Sequence, residues 1–97
     1  MPENQEAKSN YVNAVREASA VIYRIDPAGI AYESDEYDPE AARVVAGARS
    51  TASIEELRDL VTSVFDKMFW PGVCSAEKAT EIAEAVWPIV RRLHAKP

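Results

Sequence analysis

The stretch SIEELRDLVTSVFDKMFWPG, residues 53–72, decides the fold of this chain. It opens with a capping box, in which the side chains of Ser53 and Glu56 each accept from the other residue's backbone N–H. It closes on Pro71 and Gly72, which commonly follow a helix C-terminus. Between these signals lies an apolar stripe at helical spacing, formed by Ile54, Leu57, Leu60, Val61, Val64, Phe65 and Met68. The pattern predicts the most hydrophobic helix of the chain, at the centre of the core.

Another helix is predicted after Ser75, a favourable N-cap residue. Its apolar face consists of Ala79, Ile82, Ala83, Val86, Ile89, Val90 and Leu93. Pro88 falls inside this pattern, where proline forfeits the backbone hydrogen bond to the carbonyl of Glu84. Because the apolar spacing continues in phase beyond Pro88, we predict a bent helix rather than a broken one. The cations near its end, Arg91, Arg92, His94 and Lys96, suit the negative end of the helix dipole.

Two shorter patterns predict helices in the first half of the chain. The first stripe reads Tyr11, Val15, Ala18, Ile22 and Ile25. This helix should start at Asn4 or Ser9 and end near residues 24–26, because Pro27 disfavours helical geometry at Asp26. The second should start with Asp38 as N-cap and Pro39 in the first turn, and stop near Arg49. Its narrow apolar face holds Ala41, Val44, Val45 and Ala48.

These elements predict one all-α domain over residues 1–97, with four helices and a long acidic loop between helices 1 and 2. Residues 1–8 are expected to be a flexible N-terminus. The loop begins with DPAG, residues 26–29, which is typical of a type I β-turn. At least two of Ile30, Tyr32 and Tyr37 should point inward and leave the loop carboxylates facing water.

The net charge is concentrated in this loop. The formal net charge of the chain is −5, and residues 25–42 contribute −6 with six acids and no base. Such a field steers a partner of opposite sign. The other interpretation is a solvated loop that only keeps the protein soluble. An acidic chain without a basic stripe is unsuited to direct nucleic-acid binding.

Composition also bears on location. The single cysteine, Cys74, cannot form an internal disulfide, which is typical of a reducing compartment. The polar N-terminus lacks the pattern of a signal peptide, and no apolar run is long enough to cross a membrane. We therefore expect a cytoplasmic protein without a membrane segment.

No catalytic or metal-binding pattern is evident. Cys74 and His94, at opposite ends of the last predicted helix, are separated by about 30 Å, too far for a catalytic dyad. The acids do not match a calcium loop, since neither Asp26 nor Asp35 has a glutamate at position twelve. We therefore expect no enzyme activity, no cofactor and no specific metal site, with weak contact to a divalent ion left open.

The aromatic residues that follow helix 3 form a second candidate surface. Phe69 and Trp70 precede Pro71, and Trp87 lies near the end of helix 4. An exposed tryptophan is a candidate contact hot spot. The other interpretation, which we prefer, is that both indole rings cover the end of a thin core.

DPAG followed by DEYD resembles a motif in a family of small, uncharacterised bacterial all-helical proteins, some of them similar to immunity proteins encoded beside toxins. The resemblance spans roughly residues 20–93. It is carried by Asp26, Pro27, Gly29, Asp35, Glu36, Tyr37 and Asp38. It implies the helical fold and no enzyme activity.

Two functions follow as hypotheses. The first is a protein-binding module that docks residues 33–40 on a basic partner, as an immunity-type inhibitor covers a toxin. Its contact residues would be Tyr32, Glu33, Asp35, Glu36, Tyr37 and Asp38. The second is a structural or regulatory subunit, as a homodimer or in a complex, that binds through the apolar Phe69–Cys74 region, with Phe69 and Trp70 as contacts.

Overall fold

The computed structural model of the chain describes residues 2–29 and 36–94, with side chains from residue 9 onward. In this part of the chain all regular structure is helical, as predicted. The elements are α1 (Pro2–Ile25), α2 (Asp38–Gly47), a short 3₁₀ helix (Ala48–Ser50), α3 (Ile54–Met68) and α4 (Ala76–His94). None of these helices combines the length and apolar character needed to cross a membrane.

The four helices form an antiparallel ring. α1 packs against α2 and α4, and α3 packs against the same two helices. At one end, Lys78 in the first turn of α4 donates to the backbone oxygen of Asp26, just after α1. At the other end, His94 at the close of α4 contacts the backbone oxygen of Val45 near the close of α2. Each connection therefore reverses the chain direction.

The core fills the space between the helices and is built from the predicted stripes. The completely buried side chains include Ala18, Ile22, Ala41, Val44, Val45, Leu57, Val61, Phe65, Ile82 and Val86. Leu60, Met68 and Leu93 pack at its margin. Tyr11, predicted on the buried stripe of α1, is instead exposed. Every helix therefore places a continuous apolar face inside the ring.

The start of α1 differs from the prediction. The helix begins at Pro2, before both proposed caps, Asn4 and Ser9. Proline is favourable in the first turn of a helix, because its missing N–H would have no intrahelical partner there. Pro2 therefore suits the start of α1 and lies before either predicted cap.

The start of α2 is one residue earlier than predicted. Tyr37 is the N-cap, Asp38 is the first helical residue, and no side chain caps the helix. The Asp38 carboxylate instead accepts a hydrogen bond from the Ser19 hydroxyl of α1. Asp38 therefore ties α2 to α1 rather than capping its own helix.

The end of α2 lies close to α3. A Cβ atom at Gly47 would stand 3.0 Å from both methyl carbons of Leu60. A larger residue would require the Leu60 side chain to shift, and the chain continues from this contact into the 3₁₀ helix near the predicted stop at Arg49.

The predicted capping of α3 is present in modified form. The Ser53 hydroxyl accepts from the backbone N–H of Glu56 at 3.2 Å, as in a capping box. The Glu56 carboxylate reaches back to the N–H of Ala52 rather than that of Ser53, at 3.0 Å. Both bonds satisfy donors near the helix start that would otherwise lack a partner.

Substitution of Ser53 by alanine is expected to lower the free energy of unfolding by about 1 kcal/mol, because the N–H of Glu56 loses its acceptor. Urea denaturation of the variant measures this loss. Ser50→Ala, at an exposed position of the 3₁₀ helix, is the matched control and should change stability by less than about 0.5 kcal/mol. Equal effects of the two changes would contradict the capping role.

α4 has the predicted start and passes through Pro88 unbroken. The Ser75 hydroxyl accepts from the N–H of Lys78 at 3.2 Å, which confirms it as the N-cap. The helix continues to His94 with Pro88 in its interior. Ile89 and Val90, just beyond Pro88, are both buried, so packing beyond the proline supports the helix where a backbone hydrogen bond is missing.

Candidate functional site

Both predicted surfaces meet at one end of the bundle. The segments that follow α1 and precede α2, residues 26–29 and 36–37, lie there with the connection between α3 and α4, residues 69–75. The rings of Tyr37 and Phe69 lie 6.3 Å apart between centroids, which joins the two connections directly. We call this the two-loop end. The described end of the acidic segment, residues 36–40, and the apolar Phe69–Cys74 region are therefore neighbours and not separate faces.

Tyr37 is the central side chain of the two-loop end. It is completely buried, with its ring packed against Phe65 and Phe69. Its hydroxyl donates to Oδ1 of Asp26 at 2.5 Å and accepts from the N–H of Ala28 at 3.2 Å. Tyr37 points inward, in line with the expectation for at least two of Ile30, Tyr32 and Tyr37, of which Ile30 and Tyr32 lie outside the described residues. Its complete burial leaves no surface of the ring for the predicted contact with a partner. A buried aromatic with a paired hydroxyl is a structural anchor.

The turn after α1 is held by the same hydroxyl. The N–H of Gly29 donates to the carbonyl of Asp26 at 3.2 Å, which closes the predicted β-turn. Asp26 itself has a φ of +53°, a left-handed geometry that short polar residues tolerate better than most. Tyr37 bonds both Asp26 and Ala28, so this turn is attached to the core.

The residues predicted to contact a partner through the acidic segment lie in different environments. Tyr32, Glu33 and Asp35 lie outside the described residues. Glu36 is half-buried, and Asp38 is exposed while bonded to Ser19. The expectation that the carboxylates face water therefore fails for the buried Glu40 and for Asp26, which bonds Tyr37, and holds for Asp38.

Glu40 is the unusual acid of this group. Its side chain, in the first turn of α2, is only 5% exposed. Its Oε1 atom makes no hydrogen bond to any described residue. Burial raises the pKa of the Glu40 carboxyl, its own backbone N–H and Arg43 oppose the increase, and the nearby Asp38 and Glu36 add to it. Sequence reasoning placed this residue at the helix start and missed its burial.

Trp70 is the exposed aromatic of the two-loop end. Phe69 stacks on Phe65 with 5.7 Å between centroids and supports the Trp70 ring edge-on at 6.1 Å. Trp70 itself is 54% exposed. The preferred prediction that this ring covers the core is therefore wrong, because Phe69 occupies that place. Trp87, the other tryptophan, is half-buried as that interpretation requires.

The connection after Trp70 is ordered by backbone hydrogen bonds. The Asp66 carboxylate accepts from the N–H of Gly72 at 3.0 Å, and the N–H of Val73 donates to the carbonyl of Trp70 at 3.2 Å. Gly72 has a φ of +85°, which glycine adopts without strain. These bonds hold the backbone on both sides of the indole in place.

Cys74 closes this connection as a core residue. Its side chain is buried, and burial raises the pKa of the thiol, with Asp66 adding to the effect and Lys78 opposing it. A thiol with a raised pKa is a poor nucleophile. Cys74 therefore acts as a small apolar residue of the core.

The opposite end of the bundle carries a basic pocket that sequence reasoning missed. A cavity of about 380 Å³ opens between the segment after α2 and the last turns of α4. Its polar and aromatic lining consists of Arg49, Thr51, Trp87, Arg91 and His94, and Ala48 and Val90 complete it. From the sequence alone, Arg91 and His94 are explained by the helix dipole. The antiparallel order of the helices was the available signal that Arg49 would join them.

Metal chemistry has no evident site in the part of the chain that the structure describes, since no three His, Cys, Asp or Glu side chains cluster there. Comparison of the chain with family models, curated proteins and solved structures finds no match. The resemblance to bacterial helical proteins therefore stays a prediction from its motif residues. Function is inferred from geometry and charge.

Proposed function

We propose that this chain is a small protein-binding module that docks its two-loop end on a basic surface of a partner protein. In the most specific form of the proposal it is an immunity-type inhibitor that covers the cationic site of a toxin. Glu36 and Asp38, with Glu33 and Asp35 of the same segment, supply charge, and Trp70 supplies the apolar anchor. The module acts in the cytoplasm, without a cofactor and without catalysis of its own.

The exposed indole of Trp70 is the observation that carries the proposal. A tryptophan that is 54% exposed leaves a large apolar surface in water. Phe69 packs edge-on against the ring, and backbone hydrogen bonds order the loop that carries it, which reduces the entropy lost on binding. Rigid, exposed tryptophans are enriched among the residues that dominate interface energy.

Charge supports a basic partner. Residues 25–42 carry six acids and no base, although the whole chain has a formal charge of only −5. Asp38 is exposed at the two-loop end, and Glu36 is partly so. Asp26 and Glu40 have internal roles, but their charges add to the same local field when they are ionised. A field of this sign accelerates association with a cationic surface and weakens as salt increases.

The alternative is a homodimer or structural subunit that binds through Phe69–Cys74. Trp70 favours it too, and Pro71 beside it is exposed. Phe69 and Cys74, however, are turned toward the core, so the free apolar surface is small for a stable dimer. Sedimentation at low and high salt separates the two functions. A monomer favours the docking module, and a dimer that persists at high salt favours the subunit.

The partner is identified by affinity capture from native lysate at low salt, and the purified pair is then titrated. We expect Trp70→Ala to weaken binding at least tenfold, because the anchor of the interface is lost. Glu36→Gln combined with Asp38→Asn should weaken binding mainly at low salt, through slower association. Both variants change exposed or half-buried side chains.

The matched control removes two acids from elsewhere on the surface. Glu55 and Asp59 are exposed on α3, near its start at the opposite end of the bundle. Glu55→Gln with Asp59→Asn changes the net charge by the same amount and should leave the titration within about twofold of wild type. Equal weakening by the control pair, or binding that is independent of salt and of Trp70, would refute docking through the two-loop end.

A further inference from the structure

We infer that the basic pocket is a binding site for a phosphate-class oxyanion, free or as the head of a small phosphate ester. The site lies at the opposite end of the bundle from the two-loop end. It therefore gives the chain a second ligand that is independent of a protein partner.

Convergence of basic side chains from separate elements is the first support. Arg49 comes from the 3₁₀ helix, whereas Arg91 and His94 come from the last turns of α4, and all three line one cavity. None of the described residues that line it is acidic. Two guanidinium groups around one open space repel each other, and a bound anion relieves this repulsion.

Within the described residues, neither arginine of the pocket forms an ion pair. The ion pairs found there join Arg58 to Asp59 and Arg92 to Glu17. Arg91 lies over the Trp87 ring, 5.6 Å from its centroid, a contact that positions the guanidinium without neutralising it. The chain thus keeps two arginines beside a cavity in a molecule whose net charge is negative.

The helix dipole explains only part of this arrangement. A cation near the end of α4 is favourable, and Arg92 on the same turn meets that need while bonding Glu17 at 3.3 Å. The dipole of α4 does not explain why Arg49, which belongs to the 3₁₀ helix, shares a cavity with Arg91. A ligand bound by both arginines explains it.

The chemistry of the lining selects the ligand. Guanidinium groups present planar pairs of N–H donors that match the oxygens of phosphate. His94 is held by its Nε2 atom, 3.2 Å from the carbonyl of Val45, which keeps the ring at the pocket wall. The half-buried Trp87 supplies an apolar side, and the volume of about 380 Å³ leaves room for a group attached to the phosphate.

The fluorescence of Trp87, which lines the pocket, reports binding there directly. The chain has two tryptophans, so a Trp70→Phe variant leaves Trp87 as the only indole fluorophore. We expect its emission to change saturably when inorganic phosphate is added at constant ionic strength. Adenosine 5′-monophosphate should compete for the same site, and adenosine should not. Tighter binding of the ester than of phosphate would identify an ester as the preferred form, and equal binding would identify the phosphate group alone.

Arginine variants test the assignment. Arg49→Gln combined with Arg91→Gln, in the Trp70→Phe background, should raise the dissociation constant for phosphate at least tenfold. Arg16→Gln, an exposed arginine of α1 that does not line the pocket, is the control and should leave it unchanged. Phosphate should also raise the melting temperature of the wild-type chain, and should do so less in the double variant.

The inference is overturned if the emission change does not saturate, or if the double variant and the Arg16 control bind phosphate equally. Equal binding of adenosine and its monophosphate would overturn it as well, because the anion would then contribute nothing. Circular dichroism confirms that each variant is folded before it is titrated.

Discussion

Replacing Tyr37 by alanine is expected to lower the free energy of unfolding by about 3–5 kcal/mol, the usual cost of deleting a large buried aromatic. The side chain is completely buried and touches two other aromatic rings. Its removal leaves a cavity beside Phe65 and Phe69. A domain of this size has about 5–15 kcal/mol of stability in total, so the variant should be marginally folded.

Tyr37→Phe separates the ring from the hydroxyl. This variant keeps the packing and removes the bonds to Asp26 and Ala28. We expect a loss of about 1–3 kcal/mol, since one of the two bonds goes to a carboxylate. The turn at residues 26–29 should also exchange its amide hydrogens faster, because both of its hydrogen bonds to the Tyr37 hydroxyl are gone.

Urea denaturation followed by far-ultraviolet circular dichroism measures both losses. Tyr11→Ala is the matched control, because Tyr11 is exposed and its hydroxyl makes only a long bond of 3.4 Å to Ala42. It should cost less than about 1 kcal/mol. Comparable destabilisation by the Tyr11 and Tyr37 alanine variants would show that Tyr37 is not the anchor of the two-loop end.

Replacing Glu40 by glutamine is expected to increase the free energy of unfolding near neutral pH by about 1–3 kcal/mol, because an incompletely hydrogen-bonded buried carboxylate costs more than a neutral amide in the same place. The wild-type carboxylate is buried with one oxygen lacking a hydrogen bond to any described residue. Glutamine has nearly the same shape and carries no charge. The variant therefore removes the cost of burying an ion while the packing of α2 is kept.

The effect should depend on pH in a definite direction. The pKa of Glu40 is raised in the folded chain, so the folded state holds this proton more tightly than the unfolded state does. The contribution of Glu40 to stability is fully present below its unfolded pKa and is lost as pH rises through the folded pKa. The advantage of Glu40→Gln should therefore be small in acid and grow toward neutral pH.

Urea denaturation of wild type and variant at several pH values between about 4 and 7 tests this slope. Glu55→Gln, an exposed acid on α3, is the control and should shift stability by less than about 0.5 kcal/mol at every pH. An advantage of Glu40→Gln that is constant with pH, or a loss at neutral pH, would show that the buried carboxylate is compensated in the native chain.

The helices were predictable where local signals agree. The start of α3 at Ser53 and of α4 at Ser75 follows from capping residues placed directly before an apolar stripe. The unbroken course of α4 through Pro88 was predictable because the apolar pattern keeps its phase there. These features depend on neighbours within one or two turns, which a sequence displays directly.

The roles of Tyr37, Asp38 and Glu40 were not predictable, because each depends on a residue far away in the chain. Tyr37 was a candidate both for the core and for contact with a partner, and the positions of Phe65 and Phe69 decide between the two. Asp38 reads as a cap until Ser19 of α1 approaches. The acidic stretch therefore contains both structural residues and residues available for contact, and the sequence does not distinguish the two.

The basic pocket escaped prediction for the same reason. Arg49 and Arg91 stand 42 positions apart in the sequence, and each has an adequate local explanation at a helix end. Their common cavity exists only once the antiparallel packing of neighbouring helices has brought the ends of α2 and α4 to the same end of the bundle. Trp70 was predicted to cover the core, but its neighbour Phe69 packs there instead.

The closure of the helical ring by α1 and α4 also bears on how the chain matures in a cell. The first helix and the last share a packed interface, so the apolar side of α1 has its full cover only after α4 has left the ribosome. Until then the nascent chain presents part of its interior to chaperones and proteases. Truncation before α4 should accordingly yield a fragment that is degraded rather than a smaller stable bundle.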